Sequence, residues 1–214
     1  MAELTLKLLE GLPKNGPTDP IEYYRHPIVG GLFRERINMG LRLLGHRRYE
    51  HGLEIGYGAG AVLLAMAESA KKLAGIDLDA DPEIVSRFLS QRGASADLHK
   101  GSVLEMPFES ESFDLAVCFS VFEHLKDYKL ALKEVARVLK PGSSFLLGMP
   151  AVNRMMEWGF LAIGFKGIDD HHVTRPRDVA KAFNETGFSV SRVRYLGVPQ
   201  PDAALYTTWL LERR

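Results

Sequence analysis

The sequence predicts an α/β fold in which a largely parallel sheet carries helices on both faces. Three observations predict it. From His51 onward, short apolar runs alternate with helical segments, the pattern that builds parallel strands joined by helical crossovers. A glycine-rich turn, GYGAG at Gly56–Gly60, joins the first of these runs to a helix-forming stretch. Toward the C-terminal end, FSVSRVRYLG (Phe188–Gly197) and ALYTTWLLE (Ala204–Glu212) are two strand-like runs with only a short link between them. So short a link has no room for a crossover helix, so these two strands pair antiparallel.

The elements follow in order along the chain. Residues 2–10 form a short helix, and GLPKNGPTDP (Gly11–Pro20), with three prolines and two glycines, is a loop. Ile21–Gly45 reads as helical, with Phe33, Ile37, Leu41 and Leu44 on one face and Arg34, Glu35, Arg36 and Arg42 mostly elsewhere; Gly40 weakens it. GLEIG is a buried strand, Ala61–Lys72 a helix and Leu73–Asp77 a second strand. Asp81 before Pro82 is an N-cap with proline at the first helical position, and Gly93 closes that helix. A weak strand at Ala96–Lys100 precedes the strongly apolar FDLAVCF (Phe113–Phe119). The next helix carries Leu132, Val135 and Leu139 on one face and stops at Pro141-Gly142, before the buried strand SFLLGM (Ser144–Met149). Thr174 is positioned to cap a helix running to Glu185.

Bulk composition narrows the function. With 214 residues, 46% of them hydrophobic, one sizeable core is expected. The division read from the sequence is a helical cap and linker over residues 1–50 and one domain over 51–214. Lysine plus arginine balance aspartate plus glutamate at 27 each, so the basic footprint of a nucleic-acid binder is missing. The single cysteine, Cys118, allows no internal disulfide; inside an apolar run it is expected in the core. The N-terminal stretch has too short an apolar run for a signal peptide, and no run reaches the ~20 residues of a membrane span. A cytoplasmic protein with no stable membrane insertion is expected. The oligomeric state is not encoded in any feature of the sequence.

Gly56-Tyr-Gly58-Ala-Gly60-Ala61 fits the loose dinucleotide pattern G-x-G-x-x-G/A, and a plain tight turn would use the same glycines. A glycine turn between strand and helix lets a ligand approach the backbone and offers it helix N–H groups. The surroundings narrow the choice. Glu54 stands two residues before the first glycine, and Asp77 ends the second strand, where a carboxylate can accept both hydroxyls of a ribose.

Taken as an ordered set, LEIGYGAG, GIDLD, MPFESESFDLAVCFSVFEHL, EVARVLKPGSSFLLGMP and the terminal strand pair resemble the class I S-adenosylmethionine-dependent methyltransferases, specifically the broad small-molecule (type 11-like) group with an EH after the fourth strand. The resemblance runs from about His51 to the C-terminus. It implies a three-layer, Rossmann-like sandwich with a seven-stranded, mostly parallel sheet and an antiparallel C-terminal strand. It also implies S-adenosylmethionine as cofactor, with S-adenosylhomocysteine as product. On this resemblance Glu54 lies near the amino-acid end of the cofactor, and the backbone of Gly56, Tyr57, Gly58 and Gly60 passes it. Asp77 holds the ribose, Leu78 lies against the adenine, and Phe119 stands beside the cofactor. GSVLEMPF (Gly101–Phe108) matches the family's G-D-x-x-x-L-P-F with Ser102 in place of the usual aspartate. Ser102 and the Val103 N–H then serve the adenine without a charge.

The cofactor's sulfonium already activates the methyl group, so the protein chiefly positions the acceptor, and a general base is an aid rather than a requirement. His124, matching the EH, either orients its loop or meets substrate. His171 and His172 in IDDHH are further base candidates, or belong to a solvated loop. Adjacent side chains of an extended chain point to opposite sides, which disfavours a metal site there. Met155–Phe165, with Trp158, Phe160 and Phe165, either packs on the core or covers an apolar acceptor, with contact to a membrane surface as an extension of the second reading. The N-terminal IEYYRHPIVGGLF, with Tyr23 and Tyr24, either covers the cofactor or is a plain packing helix. The expectation is methyl transfer to a small, partly apolar acceptor by direct displacement. Its alternatives are a methyltransferase acting on protein or RNA, an NAD(P)-dependent oxidoreductase and a non-catalytic cofactor-binding protein. Cys118 in the core argues against the cysteine-nucleophile nucleic-acid methyltransferases, and FSVF stands in place of N/D-P-P-Y, the family pattern used to methylate amide or adenine nitrogens.

Overall fold

A computed structural model describes residues 2–16, 19–151, 173–201 and 203–214. Seven strands form one sheet: β1 (Tyr49–Ile55), β2 (Ala70–Asp77), β3 (Asp97–Lys100), β4 (Phe113–Phe119), β5 (Leu139–Pro150), β6 (Phe188–Gly197) and β7 (Ala204–Arg213). Their order is β3-β2-β1-β4-β5-β7-β6. The first five strands are mutually parallel, and β7 runs antiparallel to both β5 and β6. The terminal hairpin therefore inserts its second strand beside β5, as Leu147 facing Trp209 shows. The strand order turns at β1, which lies between β2 and β4; this is where an open α/β sheet receives ligands, outside the carboxyl ends of the strands.

Six α-helices lie among the described residues: α1 (Ile21–Arg25), α2 (Gly30–Leu44), α3 (Ala61–Met66), α4 (Pro82–Gln91), α5 (Tyr128–Val138) and α6 (Pro176–Ala182). They cover both faces. Successive side chains of a strand alternate between faces, and β4 divides accordingly. Leu115 and Val117 join α2, α3, α4 and the N-terminal Leu4, Leu9 and Leu12 in one core. Ala116 and Cys118 join Ala131, Leu132, Val135 and Val138 of α5 and Val179 of α6 in the other. Cys118 is fully buried there.

Several expected elements differ from the observed ones, each for a physical reason. The segment at residues 2–10 makes hydrogen-bonded turns rather than an α-helix, pinned where Asn38 accepts from the Leu4 N–H at 2.7 Å. The expected helix over Ile21–Gly45 is broken between α1 and α2. His26, which precedes Pro27, takes an extended ψ of 131°, as the proline ring demands. Gly40 in α2 marks a close approach: a Cβ there would lie 2.8 Å from Phe119 Cε1 and 3.0 Å from Thr208 Cγ2. The helix expected over Ala61–Lys72 stops at Met66, because Ala70 and Lys72 pair with Tyr49 and His51 and extend β2 backward. The fifth strand starts at Leu139 and runs through Pro141-Gly142, so that dipeptide ends no helix. Thr174 does not cap α6; its hydroxyl donates to the Leu125 carbonyl at 2.5 Å, and Arg175 stands at the cap position. The cap of α4 is as expected: Asp81 accepts from the Glu83 N–H at 2.9 Å, and Gly93 follows with φ +72°. Trp158, His171, His172 and the whole of Met155–Phe165 lie outside the described residues.

Candidate active site

The glycine turn stands at the carboxyl end of β1, with Gly56, Gly58 and Gly60 all at positive φ. Side chains are excluded at its first and last glycines for a second reason. A Cβ on Gly56 would overlap Val121 Cγ2, and one on Gly60 would lie 2.6 Å from Val85 Cγ1. The turn is tied to β2. Gly56 N–H donates to the Ile76 carbonyl at 2.8 Å, and Gly58 N–H to Asp77 Oδ2 at 2.9 Å. Asp77 Oδ1 accepts from Asp79 N–H and Ala80 N–H, both at 2.9 Å. The ribose-binding candidate is thus already fixed in place by three backbone donors, which leave one of its roughly four lone-pair sites open, on Oδ2.

Glu54 lies beneath the turn and is 4% exposed. The Leu63 N–H in the first turn of α3 acts on its carboxyl and favours the charged form. Its Oε2 is shielded and has no hydrogen-bond partner. Burial pushes the carboxyl well above its usual pKa, against the pull of the Leu63 N–H and with the help of nearby Asp77. Tyr57 contributes only backbone to the turn. Its ring packs over Gly75, where a Cβ would meet Tyr57 Cδ1 at 2.8 Å, and burial raises its hydroxyl pKa.

Leu78, directly after Asp77, is 65% exposed, an apolar surface beside the crevice. Gly101 N–H donates to the Asp77 carbonyl at 2.8 Å, which holds Ser102 and Val103 at the same rim. The Ser102 hydroxyl accepts from Leu104 N–H at 3.1 Å, and Val103 is buried. Phe119 ends β4, and Ser120 turns the chain with φ +57°. The strand ends thus bring Glu54, the glycines, Asp77, Leu78, Ser102, Val103 and Phe119 to one edge of the sheet.

His124 lies on the loop after β4, its N–H donating to the Val121 carbonyl at 3.0 Å. It ends a 3-10 turn, Phe122–His124, with its side chain 47% exposed and Nε2 4.0 Å from Glu123 Oε1. The other half of the EH pair is the unusual one. Glu123 is 1% exposed, and its Oε2 is shielded without a partner. Burial lifts its carboxyl to about 8, although its own N–H and Arg36 favour the charged form.

Two groups of residues escaped the sequence reading. The first is Asn15, whose side chain donates to the Gly58 carbonyl at 2.9 Å and to the Asp81 carbonyl at 3.1 Å, and accepts from Asp81 N–H at 2.9 Å. Asp19 supports it, accepting from Asn15 N–H at 2.8 Å and Ile21 N–H at 3.0 Å. The segment reaching the glycine turn is thus this Asn/Asp-bearing loop, whereas Tyr23 and Tyr24 pack with Phe33. The second is an aromatic cluster around Arg36, described below. An asparagine and an aspartate in a proline- and glycine-rich loop are the only local signal for the first; nothing local signals the second.

Comparison with known proteins agrees with this geometry. Residues 53–147 match the methyltransferase domain family. An uncharacterized methyltransferase of Bacillus subtilis, YcgJ, is 35% identical over 130 residues, 59% of this chain and 50% of that protein. A ubiquinone biosynthesis O-methyltransferase of Hahella chejuensis is 32% identical over 104 residues, 48% of this chain and 43% of that protein. The chain thus spans about half the length of these curated relatives. In fold it is similar to the N-methyltransferase NodS of Bradyrhizobium japonicum, whose structure is a complex with S-adenosyl-L-homocysteine. The TM-score is 0.68 at 23% identity, covering 99% of each chain. The stretch that carries the glycine turn, Asp77 and the end of β4, residues 53–147, is thus the part of the chain that matches the methyltransferase domain family.

Proposed function

We propose that this protein binds S-adenosylmethionine across the carboxyl ends of β2, β1 and β4 and transfers its methyl group to a small, partly apolar acceptor. The observation that carries this reading is the pairing of a side-chain-free turn with an orphaned carboxylate oxygen: Glu54 Oε2, shielded and unpartnered, beneath Gly56–Gly60. A buried acceptor without a donor is costly and fits a ligand ammonium group. Glu54 would receive the amino-acid end of the cofactor, the Gly56–Gly60 backbone would run along it, and Asp77 would hold the ribose. Leu78, with Ser102 and Val103, would flank the adenine.

When bound, the cofactor supplies a methyl group already activated on a sulfonium. The residues of this chain then bind and orient. Orientation of the acceptor for in-line attack contributes roughly 7–11 kcal/mol when well achieved. Phe119, Ser120 and Tyr206 border the side of the crevice away from Asp77, with Tyr206 Oη 3.0 Å from Ser120 Oγ. His124, His171 and His172 remain the base candidates for an acceptor that must lose a proton. Neutral net charge and the aromatic side chains on this flank support a small acceptor over RNA or protein.

Calorimetric titration with S-adenosylhomocysteine and, separately, NADH tests the reading in wild type and Asp77→Ala. Binding of the first alone is expected, weakened about tenfold or more in the variant, a loss of about 1.4 kcal/mol. A thermal melt of the variant checks that the fold survives loss of the Asp77 bonds. Binding of NADH instead, or of neither, would overturn it.

A further inference from the structure

Between α2 and β7 lies a positive charge that the residues assigned to the cofactor do not use. The Arg36 guanidinium is enclosed by three rings: its Cζ lies 4.7 Å from the centroid of Phe33, 5.4 Å from Tyr206 and 5.7 Å from Tyr24. Nη2 donates a long hydrogen bond of 3.5 Å to the Tyr24 hydroxyl. Nε is fully shielded and has no hydrogen-bond partner. No ion pair among the described residues includes Arg36. Guanidinium does not deprotonate in proteins, so the charge is permanent.

The groups acting on it are the Tyr24 and Tyr206 hydroxyls and Glu123. Glu123 does not neutralise it, since burial keeps that carboxyl largely protonated near neutral pH. The place is also informative. Tyr206 pairs with Pro150 at the end of β5, and its hydroxyl meets Ser120 beyond the end of β4. The next residue, Val121, lies against Gly56. Arg36 therefore stands on the β4–β5–β7 flank of the crevice, across from Asp77 on β2.

We propose that Arg36 binds the acceptor and that the acceptor is a partly apolar organic acid whose carboxylate pairs with this guanidinium. The planar fork of arginine matches a carboxylate, and an anion satisfies both the orphaned N–H and the uncompensated charge. Tyr24, Phe33 and Tyr206 give the apolar body of such a molecule aromatic surfaces to lie on. The alternative is that Arg36 is a cation–π staple between α2 and β7 with no ligand. The inference rests on the methyl-transfer reading.

The test uses ligand-observed NMR on the full chain saturated with S-adenosylhomocysteine. The probes are three acids, each against its neutral amide: benzoate and benzamide, cinnamate and cinnamide, decanoate and decanamide. At least one acid is expected to bind about tenfold more tightly than its amide, and in Arg36→Gln the preference is expected to fall within about twofold. S-adenosylhomocysteine affinity stays as in wild type. If Arg36→Gln does not fold, Arg36→Lys keeps the charge without the fork and is expected to lose about fivefold of the preference. Wild type that prefers no acid over its amide overturns the proposal, as does a preference that survives substitution. Titrating S-adenosylhomocysteine in the same samples separates the two readings. If it does not bind, the cofactor assignment fails, while the acid–amide comparison without it still decides the role of Arg36.

Discussion

Replacing Glu123 with Gln keeps the side chain's shape and removes one ionisable group. The carboxyl is 1% exposed, and burial lifts its pKa from 4.5 to about 8. The folded protein thus holds a proton on Glu123 that the unfolded chain releases above pH 4.5. Below the unfolded value the contribution of this group to stability is fully present; it is lost as pH rises toward the folded value. One proton of difference changes stability by about 1.4 kcal/mol per pH unit, so the whole window amounts to roughly 4–5 kcal/mol. Glu54, also raised by burial, and His51, lowered by burial, change protonation on folding as well, so the informative quantity is the difference between wild type and variant. Urea unfolding of wild type and Glu123→Gln at pH 5, 6, 7 and 8 measures it. Wild type is expected to lose stability relative to the variant by at least about 2 kcal/mol between pH 5 and pH 8. A flat difference across that range would refute the reasoning and mean that Glu123 is already ionised at pH 5, with Arg36 as its counter-charge.

Two further outcomes follow from the crevice. Gly56→Ala places a methyl group on Val121 and forces a left-handed conformation on alanine. It is expected to destabilise the fold by about 1–3 kcal/mol in thermal unfolding and to abolish S-adenosylhomocysteine binding in calorimetry. Asn15→Ala removes three hydrogen bonds to Gly58 and Asp81. It is expected to lower stability by about 1–3 kcal/mol and to speed amide hydrogen exchange at Asp81 and in the 2–16 segment, with the sheet core unchanged.

The parts of the molecule most legible in the sequence were those where local chemistry and tertiary demand agree. The β4 strand is an apolar run from Leu115 to Phe119 because both of its faces are covered, and Asp81-Pro82 starts α4 because cap and proline need no distant partner. The glycine turn was readable because its backbone needs glycine at φ +78° and +86°. Where neighbours far along the chain decide, the sequence misled. Ala70–Lys72 carries no alternating pattern of its own; it is a strand because Tyr49–His51 lies beside it. Arg36 sits among Arg34, Glu35 and Arg42 and reads as one more charge on a polar face. Only the arrival of Tyr206, 170 positions later, encloses it. Glu123 was overshadowed by its neighbour His124, because a histidine suggests proton chemistry by type. A glutamate does so only through its burial, which no local pattern reveals.

The place of β7 between β5 and β6 also shapes how the chain reaches this fold. Leu147 waits for Trp209 and Phe145 for Leu211, so β5, apolar on both faces, is synthesised long before the strand that covers its open edge. An uncovered apolar edge is a template for pairing with another chain. Contacts this distant in sequence slow the search for the native arrangement. The same connection that brings Tyr206 to Ser120 therefore leaves the half-made protein with an exposed β5 edge. During synthesis, the interval before the terminal hairpin closes is the period of greatest risk of aggregation.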